Sequence, residues 1–464
     1  FGSSLASASA DSRMLSRVVA GRHSQVLWNV FGLDKEDVAV VYSTKPSGRQ
    51  SLASCCCCCS CCCCCRDAGG TSAGDPSLHD TLTVDKEAKT LEVSSGYTFS
   101  EIIPHLKEAG LVLPGAPGHV GITVGGALAS GAHEGGLYQM PLGGYLLEIW
   151  VRGASGKARH FTKSDSPKEL AMCAVSMGML GVIVKAKFTL AESKHLKLAE
   201  TTLPYSPESM GTLNPETNTF LFAPYSQRME RQDRAPTDDA IDQPGCFARV
   251  ISCFEGNECC VRCTEPCFVC CPIITSCVFR CQTSGGTKVI DGNDTFDTTA
   301  SLQLWNLGIA YDPEQASEVF KEYSRVIDEQ RKHGRYLTYR WSARPIAAVD
   351  PSYVLAMSAG GSKVAFDVNF SNLQPGREEF MDAIVEVGKR FKGRPHLGKA
   401  LREKDIPWAA EAYGSANSGE PWLQFLALRE EYDPEQVFMN RTLHAFVDAA
   451  TKAALAAQAK TASP

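Results

Sequence analysis

The sequence has 464 residues, of which 44% are hydrophobic and 21% are charged, and its formal net charge is −6. A chain of this length and composition can bury a large core and is expected to form two or three domains. The acidic balance argues against a general nucleic-acid binder, which needs a basic face. No run of 18 apolar residues occurs, so any contact with a membrane is expected to be peripheral. These exclusions favour small-molecule chemistry.

The first residues, FGSSLASASADSRMLSR, lack the apolar core of a signal peptide. The chain begins with Phe1 instead of methionine, which is typical of a fragment or a processed form.

The 21 cysteines fall almost entirely in two clusters, at 55–65 and 246–281. Adjacent cysteines cannot all reach disulfide partners, so we interpret the first cluster as a low-complexity insertion and not as a disulfide framework. The second contains C-x-x-C spacings at 260–263 and 267–270, but they lack the arrangement of a zinc finger. No metal site is expected, and a zinc-binding module stays a minor alternative.

The first periodic elements follow the first cysteine cluster. Alternating apolar residues on both sides of a charged turn predict two short strands within 81–96. The next segment, TFSEIIPHLKEAGL, predicts an amphipathic helix that begins after Thr98 or Ser100 and ends at Gly110. This order of elements is typical of a compact α+β unit.

A glycine-rich loop, PGAPGHVGITVGGALASGAHEGG at 114–136, contains eight glycines and no lysine or arginine. It matches neither the GxGxxG dinucleotide fingerprint nor a P-loop. Backbone amides in consecutive turns can bind an anion without basic side chains. The loop therefore predicts a pyrophosphate site, helped by the hydroxyls of Thr123 and Ser130.

Further elements follow in order. A strand pair around the turn from Gly153 to Gly156, then a helix, a glycine turn and a strand ending near Leu190 complete the first lobe. The second lobe is predicted to hold a helix within 312–334, the strands YLTYRWSA and SKVAFDVNFS, and a helix in EEFMDAIVEVGKRF. The final residues, DAATKAALAAQAKTASP, are expected to form a frayed helix.

Several motifs in the same order resemble one family. The segment from VDKEAKTLEVSSG through GAHEGG, then MGMLGVIVKAKFTL, RYLTYRWSA, GRPHLGK and LREEYDPEQVFMNRTLHAFV resemble the aldonolactone oxidoreductases, which are vanillyl-alcohol-oxidase-like flavoproteins. The resemblance implies a two-domain α+β fold, with an FAD-binding (PCMH-type) domain at 14–195 and an α+β substrate or cap domain at 196–447. Residues 448–464 would form a tail, and inserts would occupy about 48–78 and 226–290.

The resemblance also implies the cofactor site. The cofactor-binding residues would be Gly21, His23, Ser24, Gly125, Gly126, Ser130, Gly131, His133, Gly135, Gly178, Gly181 and Val182. In the family's G-x-H-S turn, matched here by "GRHS", the histidine is often joined covalently to the flavin, so His23 is the candidate for attachment. Ordinary turn formation is the alternative explanation of the glycines.

The catalytic candidates lie in the second lobe. Many relatives carry a Glu-x-Arg pair facing the flavin, and the resemblance aligns Thr338 and Arg340 with it. Threonine cannot act as a carboxylate, and Arg344 fits the arginine role in an alternative register. The segment RPHLGK resembles the family's His-Trp-x-Lys motif, with His396 and Lys399 at the matching positions and Leu397 in place of tryptophan. The lysine would stabilise the reduced flavin. A surface ion pair for the arginine and a solvated lysine are the structural alternatives.

The implied reaction is hydride transfer from a sugar 1,4-lactone, such as D-arabinono- or L-gulono-1,4-lactone, to flavin N5. Oxygen or cytochrome c would then reoxidise the flavin, in a step of ascorbate-type biosynthesis at a mitochondrial or endoplasmic-reticulum membrane. An alditol or carbohydrate oxidase on the same scaffold is the second hypothesis. A degenerate, inactive flavin-binding homologue is the third.

Overall fold

The computed structural model describes residues 80–136, 138–242, 286–295, 304–337, 339–371 and 373–462. Both predicted cysteine-rich inserts lie mainly outside these ranges. Cys173 lies inside them, and it is buried and free. Within the described ranges, no helix is both long enough and apolar enough to cross a membrane.

The first lobe is built on a five-stranded antiparallel sheet in the order β1-β2-β6-β4-β5. Its strands are β1 (Leu82–Asp85), β2 (Thr90–Ser94), β4 (Leu146–Arg152), β5 (Ala158–Thr162) and β6 (Val182–Thr189). A separate short pair consists of β3 (Leu111–Val112) and β7 (Ala191–Glu192). The predicted hairpin at 81–96 and the strand pair around Gly153–Gly156 are confirmed.

Three helices pack on this sheet. They are α1 (Phe99–Ala109), α2 (Val124–Ala129) and α3 (Pro167–Ala174). Helix α1 begins after Thr98, whose backbone N–H donates to Glu101 Oε2 at 3.0 Å, as in a capping box. It ends at Gly110, which has a φ of 70°, because a left-handed residue closes a helix at little cost when it is glycine. The predicted start at Thr98 and end at Gly110 are confirmed.

The second lobe is an antiparallel sheet of eight strands in the order β11-β8-β10-β9-β13-β14-β12-β15. The strands are β8 (His195–Pro204), β9 (Thr217–Ala223), β10 (Arg228–Thr237), β11 (Gly286–Asp291), β12 (Leu304–Tyr311), β13 (Trp341–Ile346), β14 (Lys363–Ser371) and β15 (Arg394–Pro395). The helices of this half are α4 (Pro207–Met210), α5 (Ala316–Lys332), α6 (Arg377–Arg390), α7 (Ile406–Gly414), α8 (Glu420–Tyr432) and α9 (Arg441–Ala462). The helices predicted near 312–334 and 378–391 are confirmed.

The two faces of the large sheet differ because successive side chains of a strand point to opposite sides. One face contributes Phe222, Trp341 and Phe366 to an apolar core that also includes α5 and α6. Trp341 is fully buried, and its ring centroid lies 4.1 Å from that of Phe222. The intervening residues on neighbouring strands include Glu230, Ser342, Arg344 and Asp367, and we name this side the polar face.

The C-terminal helices return to the first lobe. Residues of α7, α8 and α9 belong to the same apolar core as the first-lobe sheet. In α9, Ala450 and Ala454 are fully buried. The helix expected in the last residues is confirmed as part of α9. It is packed and not frayed around Ala450, because small side chains let α9 pack closely: a Cβ on Gly414 of α7 would lie 2.1 Å from the Ala450 carbonyl oxygen. The predicted boundary between the domains stays a prediction.

Candidate active site between the two lobes

The centre of the glycine-rich loop is shaped by packing within the first lobe. Helix α2 starts at Thr123, whose Oγ1 accepts from the Gly126 N–H at 3.2 Å. A Cβ on Gly125 would lie 2.9 Å from that of Ser95, and Gly131 has a φ of 70°. The amides of Val124, Gly125 and Gly131 already donate to backbone carbonyls. These glycines thus have a structural reason that does not need a ligand.

The end of the loop crosses to the second lobe. Asn218 Nδ2 of β9 donates to the Gly135 carbonyl at 2.6 Å, and a Cβ on Gly135 would lie 2.1 Å from the Asn218 carbonyl oxygen. The Gly136 N–H donates to the Pro345 carbonyl of β13 at 2.8 Å. Glycine is therefore required at 135 because two backbones approach each other.

The glycine turn before β6 also has a steric origin. Gly178 and Gly181 have φ values of 79° and 125°. A Cβ on Gly181 would lie 2.5 Å from the Arg152 carbonyl oxygen, and Val182 is the first residue of β6. The cofactor contacts inferred for these three residues stay predictions.

The first turns of the glycine-rich loop differ from its centre. The amides of Gly115, Gly118 and Gly121 donate no hydrogen bond to any residue that the structure describes. Buried or half-buried amides normally find a partner. This part of the loop, N-terminal to the predicted anion site, therefore has the backbone donors that an anionic group would need.

The central ion pair of the polar face joins Lys399 and Asp367. Lys399 Nζ lies 2.5 Å from Asp367 Oδ1, and both side chains are largely buried. Burial by itself raises the pKa of Asp367, but Lys399, Arg344 and His133 together lower it below its usual value. Burial lowers the pKa of Lys399, and Asp367 opposes this shift. The pair thus holds an ionised carboxylate beside a buried ammonium group.

Gly308 of β12 makes room for this pair. A Cβ on Gly308 would lie 2.6 Å from Asp367 Oδ1 and 2.9 Å from Lys399 Cδ. Gly308 and Asp367 are partners in the register of β12 and β14. The backbone also fixes the lysine turn, because the His396 N–H donates to the Gly308 carbonyl at 2.9 Å. Gly308 was not predicted from the sequence.

Two buried histidines stand beside the pair, and their ring centroids are 5.4 Å apart. Burial, reinforced by Lys399, lowers the pKa of His133 to about 4 and that of His396 well below its usual value. His133 Nδ1 lies 2.8 Å from the Glu134 carbonyl oxygen, so the ring proton is assigned to Nδ1. Nε2 is then an acceptor, and it has no hydrogen-bond partner among the described residues. Neutral imidazole is the stable form of both rings at pH 7.

His396 belongs to the RPHLGK turn, which touches the end of α2. His396 Nδ1 accepts from the Gly398 N–H at 2.9 Å, which assigns the ring proton to Nε2. A Cβ on Gly398 would lie 2.5 Å from the Ser130 Cβ. The structure therefore brings together four residues that sequence reasoning selected separately, namely Ser130, His133, His396 and Lys399.

Both candidate arginines lie on the polar-face side. Arg340 Nη1 is 3.5 Å from Glu230 Oε2 of β10, and the Arg340 side chain is 20% exposed. Burial lowers the pKa of Arg340, and Glu230 opposes this shift. Arg344 acts electrostatically on Asp367, Lys399 and His133. Arg340 lies directly before β13 and Arg344 lies within it, and both guanidinium groups act on carboxylates of the polar face.

A further ion pair links the lobes. Arg234 Nη1 of β10 contacts Glu134 Oε1 of the glycine-rich loop, and both side chains are mostly buried. Burial raises the pKa of Glu134, while Arg234 and Arg344 oppose the shift. Like Asp367 and Glu230, Glu134 was not predicted as a site residue. A lone carboxylate in an apolar strand, as in VAFDVNFS, was the signal available for Asp367.

Some predicted residues cannot be located. Gly21, His23, Ser24 and Thr338 lie outside the described residues. Covalent attachment through His23 therefore stays a prediction. Among the described residues, no group of three or more His, Cys, Asp or Glu side chains could hold a metal ion.

Comparison with known proteins identifies the family. Residues 184–446 match the family model described as D-arabinono-1,4-lactone oxidase. The chain belongs to this family. Residues 75–161 match the model of an FAD binding domain. The resemblance read from the sequence is thereby confirmed, and FAD is the cofactor that this domain implies.

Curated relatives agree with this family. The chain is 36% identical to L-gulonolactone oxidase 5 of Arabidopsis thaliana over 121 residues, which cover 24% of the chain and 20% of the relative. It thus spans about a fifth of the length of the plant relatives. It is 24% identical to L-gulono-1,4-lactone dehydrogenase of Mycobacterium tuberculosis (strain CDC 1551 / Oshkosh) over 378 residues, or 78% of the chain and 82% of the relative.

A solved structure confirms the fold. Cholesterol oxidase from B. sterolicum matches 80% of this chain and 83% of its own, with a TM-score of 0.63 and 13% sequence identity. This similarity supports the predicted two-domain α+β FAD-binding fold.

The described residues fit an FAD group. The unused amides of Gly115, Gly118 and Gly121 offer donors to an anion. The buried Nε2 of His133 is an acceptor without a partner in the described part of the chain, and it suits a hydroxyl or N–H donor of a bound cofactor. Lys399 supplies a buried cation close to the same histidine. Together these residues offer donors, an acceptor and positive charge between the lobes.

Proposed function

We propose that the protein oxidises the carbinol carbon of a sugar 1,4-lactone, with D-arabinono- and L-gulono-1,4-lactone as the first candidates. The observation that carries the proposal is the polar face opposite the glycine-rich loop, where Lys399 and Asp367 lie 2.5 Å apart beside two buried histidines. A lactone presents hydroxyl and carbonyl oxygens, which carboxylates, guanidinium groups and ammonium groups bind well. The family assignment supports the same substrate class.

The side chains have separable roles in this proposal. FAD, when bound, would accept the hydride from the carbinol carbon, and the proton of the same hydroxyl group would leave to solvent. Arg340 and Arg344 donate hydrogen bonds to substrate oxygens, and Lys399 places positive charge where negative charge develops. Asp367 holds the lysine in position and keeps its own charge. The neutral histidines complete the wall of the site without adding charge.

The proposal also covers the electron acceptor and the cellular location. Oxygen, with formation of hydrogen peroxide, is the first candidate for reoxidation, and cytochrome c is the second. The reaction would contribute to the synthesis of an ascorbate-type product. Peripheral association with a mitochondrial or endoplasmic-reticulum membrane is proposed from the family resemblance.

Anaerobic mixing of the purified protein with lactones tests the proposal. We expect a flavin spectrum that bleaches with a 1,4-lactone and not with an alditol. Bleaching by alditols alone would favour the second hypothesis, and a colourless protein would contradict both. Peroxide formation and cytochrome c reduction then distinguish the acceptors.

Acid denaturation of the same protein tests covalent attachment. Flavin that stays on the chain in the wild type and is lost in His23→Ala would support attachment through His23. Retention in both proteins would refute that assignment.

A further inference from the structure

Glu230 is a buried carboxylate on the polar face, and it has no role in the reaction proposed above. It is 3% exposed, while its neighbour Met229 belongs to the apolar core on the other side of the sheet. In the strand register Glu230 pairs with Leu221, and Leu221 pairs with Ser342. Ser342 pairs in turn with Asp367. Glu230 and Asp367 therefore lie in one row across the sheet and face the same side.

The row contains two separate groups of opposite charge, and in one of them Arg228 Nη2 also lies 3.7 Å from Glu230 Oε1. Asp367 contacts Lys399, whereas Glu230 Oε2 lies 3.5 Å from Arg340 Nη1. Three strand spacings separate the two carboxylates, or about 14 Å between their Cα atoms. Asp367 is engaged by Lys399, and Glu230 is the carboxylate that the Arg340 guanidinium contacts.

Arg340 is fixed to the sheet at two points. Its backbone carbonyl accepts from Asn369 Nδ2 at 3.3 Å, and its guanidinium contacts Glu230. A guanidinium is planar and carries five N–H donors in a rigid fork. When one edge is held by a carboxylate, the orientation of the whole fork is set. A charged partner also offsets the cost of keeping the guanidinium largely buried.

We propose that Glu230 positions Arg340 to bind a hydroxyl oxygen of the substrate. Glu230 thereby supplies, from the next strand but one, the carboxylate that threonine at 338 cannot provide. This inference rests on the proposed function, because it takes the substrate to be a polyhydroxylated lactone. Glu230 is a positioning residue in this scheme, since it acts through Arg340.

The test compares Glu230→Gln with the wild-type holoenzyme. Flavin reduction is followed anaerobically as a function of L-gulono-1,4-lactone concentration, together with the protection that saturating lactone gives against heat unfolding. The charge-assisted hydrogen bond that orients Arg340 is lost, so we expect the efficiency of reduction to fall on the order of 10- to 100-fold. Most of the change should be a higher lactone concentration for half-maximal reduction. Saturating lactone should also no longer protect the variant against heat unfolding.

Two further variants make the result specific. Asp233→Asn is the matched control, because Asp233 is a buried carboxylate of the same strand that pairs with Arg231 at 2.8 Å. It should keep wild-type kinetics. Arg340→Lys should lose efficiency like Glu230→Gln, and the double variant should be no worse than Arg340→Lys alone.

The outcomes separate this inference from the proposed function. Wild-type kinetics in Glu230→Gln, or losses that add in the double variant, would overturn the role of Glu230 and leave lactone oxidation intact. A flavin-containing wild type that no lactone reduces would contradict the proposed function itself. If Glu230→Gln does not fold, Glu230→Asp provides the same test, because it keeps the charge but shortens the reach to Arg340; wild-type efficiency in that variant would also refute the inference.

Discussion

Gly308→Ala should disrupt the Lys399–Asp367 pair without changing either charged residue. The added Cβ would lie 2.6 Å from Asp367 Oδ1, 2.9 Å from Lys399 Cδ and 3.2 Å from Lys399 Nζ. Contacts below 3 Å force atoms to move. Lys399 can bend away, but Asp367 has a short side chain and is 3% exposed, so the pair is expected to open.

The magnitude follows from two limits. Overpacking a buried position costs about 1–3 kcal/mol if the pair adjusts and survives. Separating a buried pair costs about 3–5 kcal/mol. We therefore expect the free energy of unfolding to fall by about 2–4 kcal/mol, with slower flavin reduction because Lys399 loses its orientation.

Urea unfolding followed by tryptophan fluorescence measures the first effect, and anaerobic flavin reduction measures the second. Gly286→Ala is the matched control on the same sheet, since an added Cβ there meets no described atom within 4 Å. A Gly308→Ala protein with the stability and reduction rate of the wild type would refute the packing argument.

Three further predictions concern the junction between the lobes. His133 has a pKa of about 4 in the folded protein against 6.5 for the free side chain. Because the unfolded state binds the proton first, the free energy of unfolding should fall by about 3 kcal/mol as the pH drops from 6.5 to 4. In pH-dependent unfolding, His133→Gln should flatten this acid limb, and exposed His105→Gln should not. Arg234→Met should cost about 3 kcal/mol at pH 7, and lower pH should recover part of it by protonating the carboxylate left in the loop; equal losses at pH 5 and 7 would contradict this. Gly135→Ala should destabilise the protein even without flavin. Gly118→Ala should leave stability unchanged, because its Cβ meets no described atom within 4 Å, but the methyl group beside the unused amide should weaken flavin binding, as fluorescence titration would show.

The sequence was most informative where one local signal decided the structure. The hairpin at 81–96 and helix α1 could be predicted because periodicity, an N-cap at Thr98 and a left-handed Gly110 agree. The helix of the tail was predicted, but its packing was not, because that packing depends on partners distant in sequence, such as Gly414 against Ala450. Its alanines give the helix only a weak apolar face in the sequence, but their small size allows close contact between helices.

The site was predictable only in part, for a similar reason. Lys399, His396 and His133 lie in short motifs that the resemblance identified, and the structure brings them together. Glu230 and Asp367 each stand alone in a strand, and only the strand register shows that they share a row with Ser342. Local sequence does not determine which distant strands pair.

The strand geometry also changes the question of the catalytic arginine. Sequence reasoning treated Arg340 and Arg344 as alternative registers of one motif. Arg340 lies directly before β13 and Arg344 lies within it, and their partners differ: Glu230 is next to Arg340, whereas Asp367 and Lys399 lie around Arg344. Two guanidinium groups in two electrostatic settings can hold two different oxygens of one substrate. The two registers therefore need not compete.

The glycines of the glycine-rich loop fall into two groups. At 125, 131 and 135 they permit close packing or a left-handed turn, so a bound flavin is not needed to explain them. Gly118 has neither a packing contact for an added Cβ nor a hydrogen bond from its amide to a described residue. Backbone donors in a folded loop normally have partners, so this amide is available to a bound group. The first turns of the loop and His133 Nε2 therefore indicate a bound cofactor, whereas the number of glycines does not.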